Sequence, residues 1–192
     1  MVKINSLDTQ FQIDPLLVRE TICLVQNYCS SKLYQHAKVE ILLNSSFENK
    51  GVAAIFLLRD DGALLMQHRD DKPGLPLAGM WVPPGGHCEA NEPIEICARR
   101  ELREETGYDC KELNLLCSFI DDNVEGQPAY PLTAFWARYD GVQSIEAHEG
   151  QAMEFVERER ASSYEIPQYL IGLWDQAIAA LNHRLVMFEE KR

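Results

Sequence analysis

The sequence lacks the features that would direct it to a membrane, to a secretory route or to nucleic acid. No apolar run approaches the roughly 18 residues of a membrane span. The first residues, MVKINSLDTQFQ, lack the apolar core of a signal peptide. Lysine and arginine number only 18 against 30 acidic residues, which gives a net charge of −12. Because nonspecific nucleic-acid binding depends on Lys and Arg, we expect neither a membrane nor a nucleic-acid partner.

A CxxC pair is also absent, although the chain contains six cysteines. Reduced thiols in a cytoplasmic protein are the simplest interpretation of this pattern. The sequence shows no internal repeat and no low-complexity tract. A chain of 192 residues is long enough to bury a substantial core. We therefore expect one domain, or one domain with an extension.

Residues 1–45 are interpreted as an N-terminal helical extension, and residues 46–192 as the main domain. Asp14-Pro15 is typical of a helix start, with Asp as N-cap and Pro at the first helical position. The apolar face that follows is wide for a surface helix. Either the main domain covers this face as ordinary core packing, or a second subunit covers it in a homodimer. A short strand is possible at residues 38–43.

The main domain is predicted to place strands before and after one central helix and to end in a second helix. The predicted strands are residues 51–58, 63–69, 113–120, 132–139 and 153–156. Asp60-Asp61-Gly62 indicates a hairpin turn between the first two strands. The final helix is predicted from Pro167 to about Arg184. This order favours an α/β (α+β) fold with a mixed sheet between helices.

The most informative stretch runs from Gly85 to Tyr108 and carries three glutamates on one helix. Glu101, Glu104 and Glu105 fall within roughly 100° of the helix circumference. An apolar stripe beside them is suited to packing on a sheet: Ile94, Ala98 and Leu102. Clustered carboxylates repel one another unless a cation lies among them. All-oxygen ligands suit a hard ion, so we predict Mg²⁺ or Mn²⁺. The alternative is a solvated acidic face with i,i+4 partners such as Arg100.

The loop before this helix, Pro83-Pro84-Gly85-Gly86, has two glycines that let the backbone approach a ligand. They could also turn a carbonyl toward the same cation. Asn91 or Glu92 is predicted to cap the helix, with Pro93 in its first turn. Arg100 lies on the flank of the acidic cluster and is available to fold back on Glu92.

This spacing resembles the signature of the Nudix hydrolases: glycine, five residues, glutamate, seven residues, then Arg-Glu-aliphatic-any-Glu-Glu-any-Gly-aliphatic. The fixed positions here are Gly86, Glu92, Arg100, Glu101, Leu102, Glu104, Glu105 and Gly107, and the last position is Tyr108, a mild departure. Eight fixed residues at fixed spacing make a specific signal. The resemblance implies an α/β/α sandwich. It also implies metal ligation by Glu101, Glu104 and Glu105 with the Gly85 carbonyl. Gly86, Glu92, Arg100 and Gly107 would be structural, with Glu92 and Arg100 holding the loop against the helix.

A fourth carboxylate outside the signature is predicted to reach the metal from across the site. Glu149 lies in His148-Glu149-Gly150-Gln151, which resembles the Glu-Gly-Gln loop of MutT-like members. In those members the glutamate is a metal ligand or a base, so Glu101 or Glu149 is the implied general base here. The alternative is a solvated loop acid, and Glu146 and Glu154 are weaker rivals. Glu101, Glu104, Glu105 and Glu149 together form the predicted catalytic set.

Two further residues are predicted to contact substrate. Arg69 ends the second predicted strand, where a guanidinium could hold a phosphate with two hydrogen bonds. Its alternative is a salt bridge to the neighbouring Asp70 or Asp71. His87 directly follows the two glycines and could touch substrate, or it could be an ordinary surface residue.

The resemblance implies metal-dependent attack by water on a nucleoside diphosphate linked to a further group X. Most of the accessory motifs that mark other subgroups are missing, which favours a MutT-like nucleoside triphosphate pyrophosphohydrolase that releases a monophosphate and pyrophosphate. The asparagine that reads oxidised guanine in the MutT type has no match near Pro167, where Gln168 and Tyr169 follow. A nucleotide-sugar or ADP-ribose-type pyrophosphatase is the alternative. A non-catalytic, nucleotide-sensing module of the same fold is the alternative from another class.

Overall fold

The computed structural model describes residues 51–124 and 128–189, which form seven strands, two α-helices and one short 3-10 helix. These residues belong to one compact unit that begins at residue 44. The predictions for residues 1–45 fall outside the described residues. They include the helix after Asp14, the short strand at residues 38–43 and the homodimer contact.

The strands form a single mixed sheet. Their bounds are β1 Val52–Leu58, β2 Leu64–His68, β3 Trp81–Val82, β4 Gly85–His87, β5 Asn114–Asp121, β6 Tyr130–Arg138 and β7 Ala152–Val156. The order is β3-β2-β1-β6-β5, with β4 also paired to β1 and β7 also paired to β2. Strands β1 and β6 are parallel, and every other pairing is antiparallel. The predicted hairpin is present, because β1 and β2 pair across the Asp60-Asp61-Gly62 turn.

The apolar sequence of β1 explains why helices cover both faces of the sheet. Successive side chains of a strand point to opposite faces, so a continuous apolar run needs cover on both. One core contains Ala54, Phe56 and Leu58 of β1 together with the buried face of helix α2, Gln168–Glu189. The other contains Ala53, Ile55 and Leu57 together with the apolar stripe of helix α1, Ile94–Thr106. This arrangement confirms the predicted mixed sheet between helices.

Helix α1 ends as the sequence leads one to expect, but it begins differently. Gly107 adopts a left-handed conformation with φ of 71°, and its N–H donates to the Arg103 carbonyl at 2.8 Å. The predicted cap at Asn91 or Glu92 is wrong, because Pro93 is the N-cap and no side chain caps the helix. The Glu92 carboxylate is used elsewhere: it accepts a hydrogen bond from the Glu89 N–H at 2.9 Å.

Other boundaries differ from those predicted by a few residues. Strand β2 ends at His68, so Arg69 follows the strand instead of ending it. Strands β3 and β4 and the 3-10 helix at Arg158–Ser163 were not predicted, since segments of two to six residues are too short to show a period. Helix α2 extends beyond Arg184 to Glu189. No helix in the described part of the chain is both long and apolar enough to span a bilayer.

Candidate active site

Glu105 lies at the centre of the candidate site, on the side of α1 that faces the sheet. Its side chain is buried, at 3% exposure, and its Oε2 accepts a hydrogen bond from the Gly85 N–H at 2.9 Å. Burial, together with the charges of Glu149 and Glu101, raises the pKa of Glu105 to about 8. The Gly85 hydrogen bond and the Arg69 charge act in the opposite direction. The site therefore places a buried carboxyl group where neighbouring carboxylates oppose its ionisation.

The two glycines before α1 are needed for close packing. A Cβ at Gly86 would collide with the Glu101 carboxylate, and a Cβ at Gly85 would collide with the Ala53 carbonyl oxygen. Gly85 also has a φ of 154°, which side-chain-bearing residues rarely adopt. The absence of side chains at both positions lets Glu101 and Glu105 reach the backbone of β4.

Arg100 connects the loop to the acidic side of α1. Its Nε and Nη2 donate to the two carboxylate oxygens of Glu92, each at 2.8 Å. Its Nη1 donates to Glu101 at 2.7 Å and to Glu104 at 3.0 Å. A further bond runs from Nη2 to the His87 carbonyl at 3.1 Å. The guanidinium lowers the pKa of Glu92 to about 2, so this carboxylate stays charged. The structure thus contains the Arg100–Glu92 contact expected from the sequence.

The three signature glutamates are layered instead of clustered. Glu105 is buried, while the side chains of Glu101 and Glu104 are 15% and 60% exposed. Among the described residues, no three of the four predicted catalytic carboxylates have oxygens within 4.8 Å of one another. Arg100 bonds the outer two, Glu101 and Glu104. The solvated-face alternative therefore describes Glu104 but not Glu105.

The loop that carries Glu149 is bonded to both α1 and β2. The His148 N–H donates to the Glu105 carbonyl at 2.9 Å, and the Gln151 N–H donates to the His68 carbonyl at 2.8 Å. Gly150 between them has a φ of 75°, and a Cβ there would lie 2.6 Å from the His68 oxygen. These bonds hold Glu149 close enough to influence the pKa of Glu105. The rival Glu146 instead pairs with His148 at 3.1 Å.

A small pocket joins Glu149 to the end of β2, and its lining residues are Gln67, Arg69, Asp70, Leu75, Glu149 and Gly150. The Nε of Arg69 donates to the Pro76 carbonyl at 3.1 Å. Within the described residues Arg69 forms no ion pair with Asp70 or Asp71, and Asp70 pairs with Lys72 instead. The structure therefore does not support the salt-bridge alternative for Arg69.

His87 does not line this pocket. It ends β4, its side chain is exposed, and its ring centroid lies 6.5 Å from that of Tyr130. Tyr130 in turn donates to the buried Asp121 at 3.0 Å. His87 therefore lies beside Tyr130 at one end of β4, whereas Gly85, whose N–H bonds Glu105, lies at the other end of that strand.

Sequence reasoning missed Gln67. Its side chain is 2% exposed, and its Nε2 has no hydrogen-bond partner among the described residues. A buried amide donor without an acceptor is unfavourable unless a ligand supplies one. The polar residue at an inward position of the apolar strand β2 was the available signal.

The residues present fit a hard divalent cation. The charged groups near Glu105 include the carboxylates of Glu101 and Glu149, and Mg²⁺ and Mn²⁺ prefer oxygen ligands. Burial is the main cause of the raised pKa of Glu105, and a cation beside this carboxyl group would favour its charged form. Glu101, Glu105, Glu149 and the Gly85 carbonyl would hold the ion, with Glu104 at the exposed margin.

The fold, the diglycine loop and the acidic helix together define a Nudix protein. The NUDIX domain family model matches residues 48–170, and the chain belongs to this family. The match confirms the family predicted from the signature.

The comparisons with individual proteins agree with this assignment. A Caenorhabditis elegans protein that carries a nudix hydrolase name is 41% identical over 69 residues, which cover 34% of this chain and 18% of that relative. This chain thus spans less than a fifth of the relative's length. A MutT structure from work on Aliivibrio salmonicida and Vibrio cholerae has a TM-score of 0.55 at 25% identity, over 68% of this chain and 98% of that one. The NUDIX domain of Shewanella oneidensis NrtR, complexed with ADP ribose, has a TM-score of 0.59 at 18% identity, over 74% and 97%. The structural likenesses confirm the predicted fold class.

Proposed function

We propose that this protein is a metal-dependent, MutT-like nucleoside triphosphate pyrophosphohydrolase that releases a nucleoside monophosphate and pyrophosphate. Mg²⁺ or Mn²⁺ is the proposed cofactor, and a small nucleotide is the proposed partner. We also propose a cytoplasmic location, where the predicted free thiols stay reduced. The observation that carries the proposal is the buried Glu105 carboxyl, bonded to the diglycine loop and flanked by Glu101 and Glu149.

This carboxyl group connects the structure to the chemistry. When bound, the cation supplies positive charge that offsets the substrate's phosphates, together with Lewis acidity. Glu105 is too buried to take a proton from a water molecule that enters from solvent, whereas Glu101 and Glu149 are more exposed. Glu101 or Glu149 is therefore the proposed general base. The attacking water gives up its proton there, its oxygen bonds to phosphorus, and the phosphoric anhydride bond breaks.

The chain's other polar residues orient the substrate. Arg69 keeps two guanidinium nitrogens beyond the one bonded to Pro76, and it lines the same pocket as Glu149. A guanidinium is suited to bidentate recognition of a phosphate. Gln67 offers an unpaired N–H beside it. We propose that both hold phosphate oxygens, and that His87 contacts the nucleoside from the diglycine side.

Hydrolysis of a nucleotide sugar or an ADP-ribose-type substrate is the second candidate. The observation that favours it is the similarity to the NrtR domain, whose structure contains ADP ribose. At 18% identity this likeness concerns the fold alone, so the triphosphate substrate remains the first proposal. A nucleotide-sensing module without catalysis is disfavoured because all the signature carboxylates are present.

The first experiment measures turnover on a panel of substrates, with Mg²⁺ and with Mn²⁺. The panel contains nucleoside triphosphates, nucleotide sugars, ADP ribose and dinucleoside polyphosphates, and the products are separated and identified. We expect the highest kcat/KM on a triphosphate, with pyrophosphate as product. Glu105→Gln keeps the shape of the side chain but removes its charge, so we expect kcat to fall by at least about 10².

Glu95→Gln is the matched control, because Glu95 is exposed on the same helix and pairs with Arg99. It should leave kcat unchanged. Equal activity of Glu105→Gln and wild type would contradict the proposed metal site. Preferred cleavage of a nucleotide sugar or ADP ribose would favour the second candidate. Nucleotide binding without turnover in the wild type would favour the sensing module.

A further inference from the structure

A second group of ligand atoms lies one helical turn before Glu101. The Sγ atoms of Cys88 and Cys97 and a carboxylate oxygen of Glu92 all lie within 4.8 Å of one another. Cys88 follows β4, Glu92 precedes α1, and Cys97 lies in the first half of that helix. The end of β4, the turn that follows it and helix α1 therefore bring two thiols and one carboxylate close together.

Two polar groups beside Cys97 could orient its sulfur as a metal ligand. The Nη2 of Arg100 lies 3.8 Å from Cys97 Sγ, as a donor to the sulfur. The Cys97 thiol donates to the Gly86 carbonyl at 3.9 Å, which leaves an oxygen beside the sulfur as a further ligand. Groups that bond to metal ligands without touching the metal fix their orientation. Arg100 would have this role, because it bonds both Cys97 and Glu92.

The charges of the group also balance with an ion present. Arg100 pairs with Glu92 and also with Glu101 and Glu104. A divalent ion that displaces the two thiol protons adds two positive charges and leaves two thiolates, so the net charge of the group does not change. The exchange is balanced: two S–H bonds break, two metal–sulfur bonds form, and two protons pass to solvent.

We propose that Cys88, Cys97 and Glu92 form a site for one thiophilic divalent cation, of the class of Zn²⁺ or Cd²⁺. The ligands would be two sulfurs and one carboxylate oxygen, with the Gly86 carbonyl or water in the fourth position of a tetrahedron. Soft sulfur ligands distinguish this site from the all-oxygen site at Glu105. The exposed turn at residues 89–91 gives the ion a way in.

Metal binding suits this thiol pair better than oxidation does. Both side chains are buried, at 9% exposure for Cys88 and 0% for Cys97, and burial raises the pKa of each thiol. Oxidants react with exposed thiolates, so buried thiols of this kind react slowly. A metal ion removes the proton in the act of binding and needs no free thiolate beforehand.

The test uses the full chain in which Cys88 and Cys97 are the only cysteines remaining. The four replacements are Cys23→Ser, Cys29→Ser, Cys110→Ser and Cys117→Ser. Cd²⁺ is titrated in excess Mg²⁺ with a phosphine reductant, and the ultraviolet thiolate-to-metal absorption is recorded. We expect the absorption to saturate at one Cd²⁺ per chain. Adding Cys97→Ser or Cys88→Ser should remove at least half of it, and Glu92→Gln should weaken the Kd by about tenfold or more.

A measurement on the wild-type chain needs no substitution. In an alkylation long enough to modify Cys88 and Cys97 in the metal-free chain, Cd²⁺ should protect both thiols, as measured by mass spectrometry, and should leave Cys117 unprotected. As a control for the absorption test, Cys110→Ser alone, which replaces a buried cysteine outside the group, should keep the absorption of the wild-type chain. Absorption that is unchanged by Cys97→Ser would overturn the site. Saturation at one ion per two chains, or equal protection of all thiols, would also overturn it.

Discussion

At the residue scale, Glu105 shows how position on one helix sets the chemistry of a glutamate. Glu104 and Glu105 are adjacent in sequence, yet one is 60% exposed at its side chain and the other is buried. Glu105 lies three residues after Leu102 and seven after Ala98, so it continues the stripe that packs on the sheet. Burial then makes its ionisation unfavourable.

This burial predicts a specific pH dependence of stability. The unfolded chain ionises Glu105 near the ordinary value of 4.5, whereas the folded protein ionises it near 8. Between these pH values the unfolded state binds fewer protons, so the free energy of unfolding falls as pH rises. In chelator, urea denaturation should show wild type losing on the order of a few kcal/mol more than Glu105→Gln between pH 5 and pH 8. Parallel pH profiles for the two proteins would contradict this.

Gln67 predicts opposite effects on stability and activity. Its buried Nε2 has no partner among the described residues, so Gln67→Leu removes an unfavourable donor and should raise the free energy of unfolding by about 1 kcal/mol. The same change removes a proposed contact with substrate, so kcat/KM should fall. Denaturation and steady-state kinetics on one preparation measure both quantities. A loss of stability together with unchanged kcat/KM would show that Gln67 is an ordinary core residue.

At the element scale, Arg100 joins the loop before α1 to the helix itself. Five hydrogen bonds to Glu92, Glu101, Glu104 and His87 come from one guanidinium. A lysine carries the same charge but only one nitrogen, and it cannot reproduce the two bonds to Glu92. The fork geometry of Arg100 is therefore what sets the distance between loop and helix.

Arg100→Lys should thus lower kcat strongly and lower the free energy of unfolding only modestly. The loop would be held less closely, Glu101 would lose its orientation, and kcat should fall by about tenfold or more. The free energy of unfolding should fall only modestly, because lysine keeps the positive charge beside Glu92 and gives up one of the two hydrogen bonds to it. Arg99→Lys is the control, since Arg99 pairs with the exposed Glu95 on the same helix. Equal kcat values for the two variants would contradict a positioning role for Arg100.

The elements that could be predicted from sequence are those with a long, regular pattern. The apolar run of β1 and the apolar faces of the two helices each extend over seven or more positions of the chain. They allowed both helices and the sheet between them to be predicted. Strands β3 and β4 could not be predicted, since their pairing with β2 and β1 depends on distant partners. The cap at Pro93 was missed because Glu92 bonds Arg100, eight residues away, instead of the helix end. The different exposures of the three signature glutamates could not be predicted either, because they depend on the bonds from Arg100 and on packing against the sheet.

At the scale of the whole molecule, the sheet and its two helices form a self-contained unit. Every residue of the two described cores lies between residues 52 and 185. Helix α2 is tied to the first hairpin by Trp174, whose Nε1 donates to the Gly62 carbonyl at 2.9 Å in the interior. The site lies on the α1 side, at the other face of the sheet.

Because both described cores lie within this unit, we predict that residues 44–192 fold without the preceding segment. The shortened chain should unfold in a single cooperative transition and keep the kcat/KM of the full chain. Circular dichroism during denaturation and the substrate assay measure the two properties. An aggregated or inactive product would instead show that the predicted N-terminal helix covers part of the main domain.

The loop around Glu149 has one further consequence. Its two ends are bonded through backbone amides at His148 and Gln151, and only Glu149 and Gly150 lie between them. Because only two residues connect these bonded amides, inserting or deleting one residue there would move the Glu149 carboxylate away from the end of α1. Among proteins that use this acid in the same way, the number of residues across this span should hence be constant, whatever the lengths of their other loops.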